Sequence, residues 1–467
     1  MKKVIAIALA GAVGLAGLAL TNFIGDNRPV LKVANWAEYI DGGDEDSPLI
    51  AEFEEWYEAQ TGKKIRVEYC IADDNETLYN MIKMGDHFDL ICPSEYMLMK
   101  LIAEDRLQPL PDTFYDASNP LNYYINNVSP WILNTFRSNE ILGSPWSEYA
   151  AGYMWGTTGF VYNPGTEEKP LVKAEDVATW SVFTNADYYK KITAKNNIRD
   201  TYFTGLAMHY DSELRTEQEK YENSAKTAND LKAYQTALST LMNDTKAATM
   251  DSVKEKLMAM TDNLYGFETD EGKSNVISGK ITVNYQWSGD AVYIMDEAQY
   301  DEDGNELENP VYLHYSIPET VSNLWFDGWA ITKDCKDENI QAATMFINFL
   351  SRPDNVVRNM NYIGYTSCVG SDTVFEEFVL ANYSAEEDDE TAKEYDLNYY
   401  FNSAYNQGDD TTKDPKYIFY APEDQFTRQL FAQYPDENTL ARCVAMQYFD
   451  YDANSRANSM WSDITFF

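Results

Sequence analysis

From Val30 onward, short runs rich in β-branched residues alternate with longer amphipathic ones, and this alternation restricts the chain to an α/β fold. The run "LKVANW" reads as a strand and leads into "SPLIAEFEEWYEAQTG", a helix with Ser47 as N-cap, Pro48 in its first turn and Gly62 as its stop. "KIRVEYCI" reads as a second strand, "NETLYNMIKMG" as a second helix, and "FDLICPSEYMLMKLIAEDRLQPL" as a third strand and helix. Such a β-α-β march predicts largely parallel sheets, in which ligands sit beyond the carboxyl ends of the strands. Trp36 and the segment "PSEY" both fall at such ends.

At 467 residues the chain exceeds a typical single core, so two lobes are expected. No internal repeat and no long low-complexity linker separates independent domains, which implies closely connected lobes, joined more than once. The stretch from Lys195 to Asp262 is charged and helix-prone, the pattern of solvated helix faces. "VYIMDEAQYDEDGNELENPVYLHYSI" reads as a helix, a turn around Asp303 and Gly304, and a strand. From Asp372 to Asp414, "SAEEDDETAKEY" and "NQGDDTTKD" suggest an exposed acidic insertion.

The formal net charge of -40 repels nucleic acid and anionic surfaces while concentrating small cations; it equally suits the solubility of an exported protein. Aromatic residues make up 14% of the chain, with 35 tyrosines, a surplus that suits either a wet cleft or dispersed sheet positions. The N-terminus starts basic and continues with an apolar run from Val4 to Leu20, so residues 1–27 read as a signal peptide or an N-terminal membrane anchor. Lipid attachment at the end of that segment is not expected, because the first cysteine is Cys70. Gly11, Gly14 and Gly17 lie inside the segment and form no phosphate loop. The five cysteines (Cys70, Cys92, Cys335, Cys368, Cys443) are widely spaced, with no metal-type pair, and read as small buried hydrophobes that still allow one or two disulfides.

The familiar catalytic and metal patterns do not occur. His87, His209 and His314 are far apart, and there is no HExxH, GxSxG, Walker loop or Cys-His arrangement. "DEDGNELE" lacks EF-hand spacing, its glycine coming two places too early. No metal and no cofactor is therefore expected. Carboxylates alone can run glycoside hydrolysis, and a Trp-lined acidic cleft suits sugars, so a glycosidase is the enzyme alternative.

Four segments share one grammar, an aromatic ring with a carboxylate one to three residues away: "NWAEY" (Trp36, Glu38, Tyr39), "PSEY" (Ser94, Tyr96), "QWSGD" (Trp287, Asp290) and "LWFDGWAIT" (Trp325, Asp327). Any one of these tryptophans alone reads as core. Together, ring faces and carboxylates suit an elongated organic cation. Faces hold methylenes and add cation-π attraction worth roughly 0.5–2 kcal/mol each, and carboxylates accept charge-assisted hydrogen bonds from the ammonium ends.

Taken in order, the segments "LKVANWAEYI", "TGKKIRVEY", "NETLYNMIK", "FDLICPSEYMLMKLIAEDRLQPL", "YMWGTTGFVYN", "VNYQWSGDAV", "WFDGWAIT", "INFLSRPD" and "IGYTS" resemble the substrate-binding proteins of spermidine/putrescine ABC importers. The resemblance implies a type II periplasmic-binding-protein fold, α/β and two-lobed, with the ligand in a cleft between lobes joined by two hinge crossings near Gly156 and Phe326. Lobe one would comprise residues 28–156 and 326–371, and lobe two residues 157–325 and 372–467. The implied aromatic box is Trp36, Tyr39, Tyr96, Trp287, Trp325 and Tyr365, with polar contacts from Ser94 and Gln447 and anionic groups Glu38, Asp200 and Asp327. Asp290 stands where putrescine-preferring members carry an aspartate. Asn197 stands where spermidine-preferring ones carry a carboxylate, and Ala37 replaces a common hydroxyl residue. The site thus mixes features of both types. The implied function is that of a polyamine-binding protein, spermidine or putrescine its ligand, working as a monomer in the periplasm or on the outer face of the cytoplasmic membrane. Its partners would be an importer permease and ATPase; a polyamine sensor without transport is the other non-enzymatic alternative.

Overall fold

The computed structural model describes residues 28–43, 47–268, 271–301 and 303–465. The export segment expected at 1–27 lies outside them; among the described residues no helix is long and apolar enough to cross a membrane.

The first three strands form where the sequence places them. β1 (Val30–Asn35), β2 (Arg66–Ile71) and β3 (Leu90–Ile91) pair in parallel in the order β2-β1-β3, with Val33 beside both Tyr69 and Leu90. The helix Pro48–Thr61 buries Leu49, Ile50, Phe53 and Tyr57, and Phe53 meets Phe346 of the helix Asp337–Leu350 edge-on at 5.0 Å. It stops at Gly62, whose φ of 70° closes a left-handed cap that a side chain would strain. Ser47 precedes this helix but gives it no side-chain cap; its Oγ donates to the Asp41 carbonyl instead.

The sheet is less parallel than the march suggests. Its two longest strands, β4 (Ala150–Tyr162) and a partner further along the chain, run antiparallel to each other. Between them in sequence come β5 (Ile192–Lys195), β6 (Gly266–Glu268), β7 (Val283–Trp287) and β8 (His314–Ser316), and then β9 (Ser322–Ile331), that partner. A continuous apolar run marks a strand buried on both faces but carries no direction, so the sequence does not expose this reversal. Every residue of β4 and of β9 is buried.

These two strands organise the molecule. β4 pairs with β9 and with β10 (Thr366–Ser367) as far as Thr157, and from Thr158 to Tyr162 it pairs with β7. β7 lies parallel to β5, and β5 to β6, while β8 pairs with the end of β4. β9 starts beside β11 (Cys443–Val444) and finishes beside β3. The chain thus has two strand groups, joined by β4, which pairs with β9 along its first part and with β7 along its last.

The charged stretch after Lys195 forms the helices Ile198–His209, Asp211–Glu222, Ala228–Met242 and Ala247–Asn263. The acidic insertion corrects the sequence reading in part. Glu386 to Asp388 are exposed as expected, but Tyr395 and Leu397 to Phe401 are buried. Tyr399 and Tyr400 pack against Trp131 at 5.9 and 6.3 Å between ring centres, and Trp155 of β4 donates its indole N–H to the Tyr400 hydroxyl at 3.0 Å. Acidic composition marks the turns of this segment, while its aromatic residues decide where it goes. Cys92, Cys335, Cys368 and Cys443 are buried and Cys70 is partly so, as their reading as small hydrophobes predicts.

Candidate functional site

The site begins at three strand ends. β1 ends at Asn35, which presents Trp36 and Tyr39; β3 ends at Ile91, two residues before Pro93 and three before Ser94; and β9 carries Asp327 at an irregularity in its pairing with β4. Ser94 and Asp327 form an isolated bridge, and the Gly328 N–H donates to the Pro93 carbonyl at 3.1 Å.

Their side chains converge on one carboxylate. Asp327 Oδ2 accepts from Trp36 Nε1 at 3.0 Å and from the Tyr39 hydroxyl at 2.9 Å, while Oδ1 accepts from Ser94 Oγ at 2.7 Å. Asn75, at the start of the helix Asn75–Met84, fixes Ser94 by donating to its Oγ and accepting from its backbone N–H, each at 2.9 Å. All three donors to Asp327 are neutral, and among the described residues no lysine or arginine pairs with it. Burial raises the Asp327 pKa and the bonds from Ser94, Tyr39 and Trp36 lower it, leaving it at about 6. A desolvated carboxylate held by neutral donors is short of one positive charge.

Aromatic rings wall this carboxylate. Tyr365, one residue before β10, stands edge-on to both Tyr39 at 5.4 Å and Trp325 at 5.5 Å, and the Trp325 indole N–H donates to the Thr157 carbonyl at 3.3 Å. Tyr365 also lies flat on Gly289, where an added Cβ would come within 2.2 Å of the ring. Trp287, Ser288, Gly289 and Asp290 are therefore close neighbours of this wall.

The groups of the second strand set meet around Trp287. Its indole N–H donates to Asp200 Oδ1 at 3.3 Å, and Asp290 Oδ1 pairs with Lys273 Nζ at 2.9 Å. Burial raises the Asp200 pKa, against the opposing charge of Lys195. Lys195, at the end of β5, places its ammonium 3.4 Å from the Trp287 ring centre, bonds Gln286 Oε1 at 2.5 Å and lies 4.0 Å from Asp290 Oδ2. Glu38 is exposed with φ 53°; it joins Glu297, Lys273 and Asp290 as a charge acting on Tyr293, whose phenol is raised chiefly by burial.

Two expected site residues turn elsewhere. The Tyr96 hydroxyl bonds the Glu76 carboxylate at 3.2 Å, and its ring receives the Arg199 guanidinium at 4.1 Å, beside a cavity of about 460 Å³ lined also by Lys100, Tyr448 and Phe449. Gln447 is exposed, and it is its backbone carbonyl that accepts from Arg199. Asn197 caps the helix Ile198–His209 by accepting from the N–H groups of Arg199 and Asp200.

Sequence reasoning missed Lys195, Lys273, Asn75 and Glu95. Lys195 stands five residues before Asp200 at a strand end, where a buried lysine would have been a signal. Glu95 is buried and accepts from the backbone N–H of Phe326 at 3.1 Å and of Met446 at 3.2 Å; burial first of all pushes its carboxyl up to about 8.

Comparison with known proteins agrees with this architecture. The family model for bacterial extracellular solute-binding proteins matches residues 49–371. The putrescine-binding periplasmic protein SpuD of Pseudomonas aeruginosa is 27% identical over 357 residues, covering 76% of this chain and 80% of that protein. The spermidine/putrescine-binding periplasmic protein of Escherichia coli K12 is 24% identical over 357 residues, covering 76% and 82%. Among solved structures, a putative spermidine/putrescine ABC transporter from Listeria monocytogenes superposes with a TM-score of 0.59 at 23% identity, covering 93% of this chain and 98% of that one, which shows the shared fold. With the family model matching well over half of its length, this chain belongs to the bacterial extracellular solute-binding proteins and has their two-lobed α/β fold.

Proposed function

We propose that this protein binds a linear polyamine of the putrescine or spermidine type outside the cytoplasmic membrane and hands it to an ABC importer. The observation that carries the reading is Asp327, a buried carboxylate held by Trp36, Tyr39 and Ser94 with no described cation against it, at a wall of Trp325 and Tyr365. A primary ammonium supplies the missing charge, and the ring faces take its methylenes. The names of the relatives, putrescine- and spermidine-binding periplasmic proteins, support the same ligand class and an exported location.

In this reading lobe one is residues 28–156 with 326–371 and lobe two residues 157–325 with 372–467, the crossings lying on β4 and β9. Ligand bridges Asp327 and the Trp287 group and so favours the closed arrangement by its differential affinity for it. The closed monomer is what an importer permease, driven by its ATPase, recognises. The residues assigned to the ligand are Trp36, Glu38, Tyr39, Ser94, Asp200, Trp287, Asp290, Trp325, Asp327 and Tyr365, with Tyr96 and Gln447 acting through Arg199. The role is binding, without catalysis.

Calorimetric titration with spermidine, putrescine, cadaverine and a neutral diol of similar length tests the proposal. Heat with at least one amine and none with the diol is expected. Silence from every amine at millimolar concentration would sink it, and hydrolysis of an oligosaccharide would replace it with the carbohydrate-active reading.

A further inference from the structure

We propose that Lys195 is a resident occupant of the second cation slot, so that the cleft selects linear ligands with one ammonium end, lodged at Asp327, and a hydrogen-bond-accepting, uncharged or anionic end turned towards Lys195. This rests on the amine-binding reading above for the ammonium at Asp327 and departs from it at the far end, where an amide or a carboxylate stands in place of a second ammonium.

A diamine clamped between lobes needs an aromatic face and an unneutralised carboxylate at each of its ends. At Asp327 both are present: the donors are neutral and no described cation pairs with the carboxylate. At the other end they are taken. The Trp287 face holds the Lys195 ammonium at 3.4 Å from its centre. Asp290 has Lys273 on Oδ1 at 2.9 Å and Lys195 at 4.0 Å from Oδ2. Asp200 accepts the Trp287 indole N–H and feels the charge of Lys195 and of Arg199.

Lys195 is no surface lysine that solvent can draw away. It is 1% exposed, it ends a buried strand, and Gln286 and the Trp287 ring fix its ammonium. A second ligand ammonium entering here would meet a like charge at close range in a desolvated site, where repulsion is far stronger than in water. An amide or carboxylate oxygen would instead accept from the lysine, whose ammonium is a three-proton donor.

The test is calorimetric titration of the full chain with four probes: putrescine, spermidine, N-acetylputrescine and 5-aminopentanoate. The expected result is that N-acetylputrescine or 5-aminopentanoate binds at least about tenfold more tightly than putrescine or spermidine. The better of the two distinguishes an amide from a carboxylate end. In Lys195→Met, checked by its melting curve, the ranking should shift towards putrescine by about tenfold. Putrescine or spermidine binding the unmodified protein as tightly as both single-amine probes would overturn the inference while leaving the polyamine reading intact. A ranking that Lys195→Met leaves unchanged would remove Lys195 from its role. No binding by any of the four probes would overturn the amine reading itself. The ranking in the unmodified protein decides the matter even if the variant fails to fold.

Discussion

Asp327 concentrates the behaviour expected of the site. Asp327→Asn keeps the shape but removes the charge partner of the ligand ammonium, and should weaken amine binding by about 2–5 kcal/mol in a calorimetric titration. Because burial holds this carboxyl at about 6, it must lose a proton before it can pair with an ammonium. Affinity should therefore be full above pH 7 and fall about tenfold per pH unit below pH 6, a decline that titrations at pH 7.5, 6 and 5 would measure. At this scale the sequence is readable wherever a residue type and a strand end suffice. Trp36, Tyr39, Ser94, Trp325 and Asp327 were placed from such signals, and the structure brings them together. Lys195 was not, because its meaning depends on lying over Trp287, which is 92 positions away in sequence and adjacent only through the pairing of β5 with β7.

At the scale of elements, the connection between the two strand groups runs through close contacts that admit little change. Gly289, in the first turn of the helix Ser288–Glu297, leaves 2.2 Å between an added Cβ and the Tyr365 ring, and Ser288 Oγ accepts from the Thr157 N–H at 3.2 Å where β4 changes neighbours. Gly289→Ala should cost about 1–3 kcal/mol of stability, measured by denaturant unfolding, and weaken ligand binding through a displaced Tyr365. Glu95 makes a complementary prediction. Its carboxyl accepts one backbone N–H on each oxygen, so Glu95→Gln, whose amide nitrogen cannot accept, strands one of them and should cost about 1–3 kcal/mol, whereas Glu95→Ala strands the N–H groups of both Phe326 and Met446 and should cost more. The β-α-β opening was legible because its helix starts and stops carry local signals. The antiparallel run of β4 beside β9 was not, since direction is set by which strands lie alongside and not by composition.

For the whole molecule, pH should act on stability with a definite sign. Burial raises Glu95 to about 8 and Asp296 and Asp327 to about 6 in the folded protein. Unfolded, such groups titrate near 4, so between about pH 4 and 8 the folded chain holds protons that the unfolded chain releases. Stability then falls as pH rises through that window. Self-repulsion from a net charge of -40 acts in the same direction. Asp244, which burial raises but bonds from Tyr210, Lys246 and Thr249 bring down to about 2, opposes this only below about pH 4. The melting temperature of ligand-free protein should be higher at pH 5.5 than at pH 8, and Glu95→Gln should flatten the slope between pH 6 and 8.

The part of the chain after residue 371 sets a limit on how far the molecule can be trimmed. The family match ends at residue 371, yet Tyr365 is braced from beyond it: Gln433 donates to the Gly364 carbonyl at 2.8 Å, Thr366 Oγ1 donates to the Gln433 carbonyl at 2.9 Å, and the Tyr400 hydroxyl bonds the Ser367 carbonyl. A chain cut after residue 371 would keep Tyr365 and lose the struts behind it. The smallest unit that holds Tyr365 in place is therefore larger than the segment the family model matches.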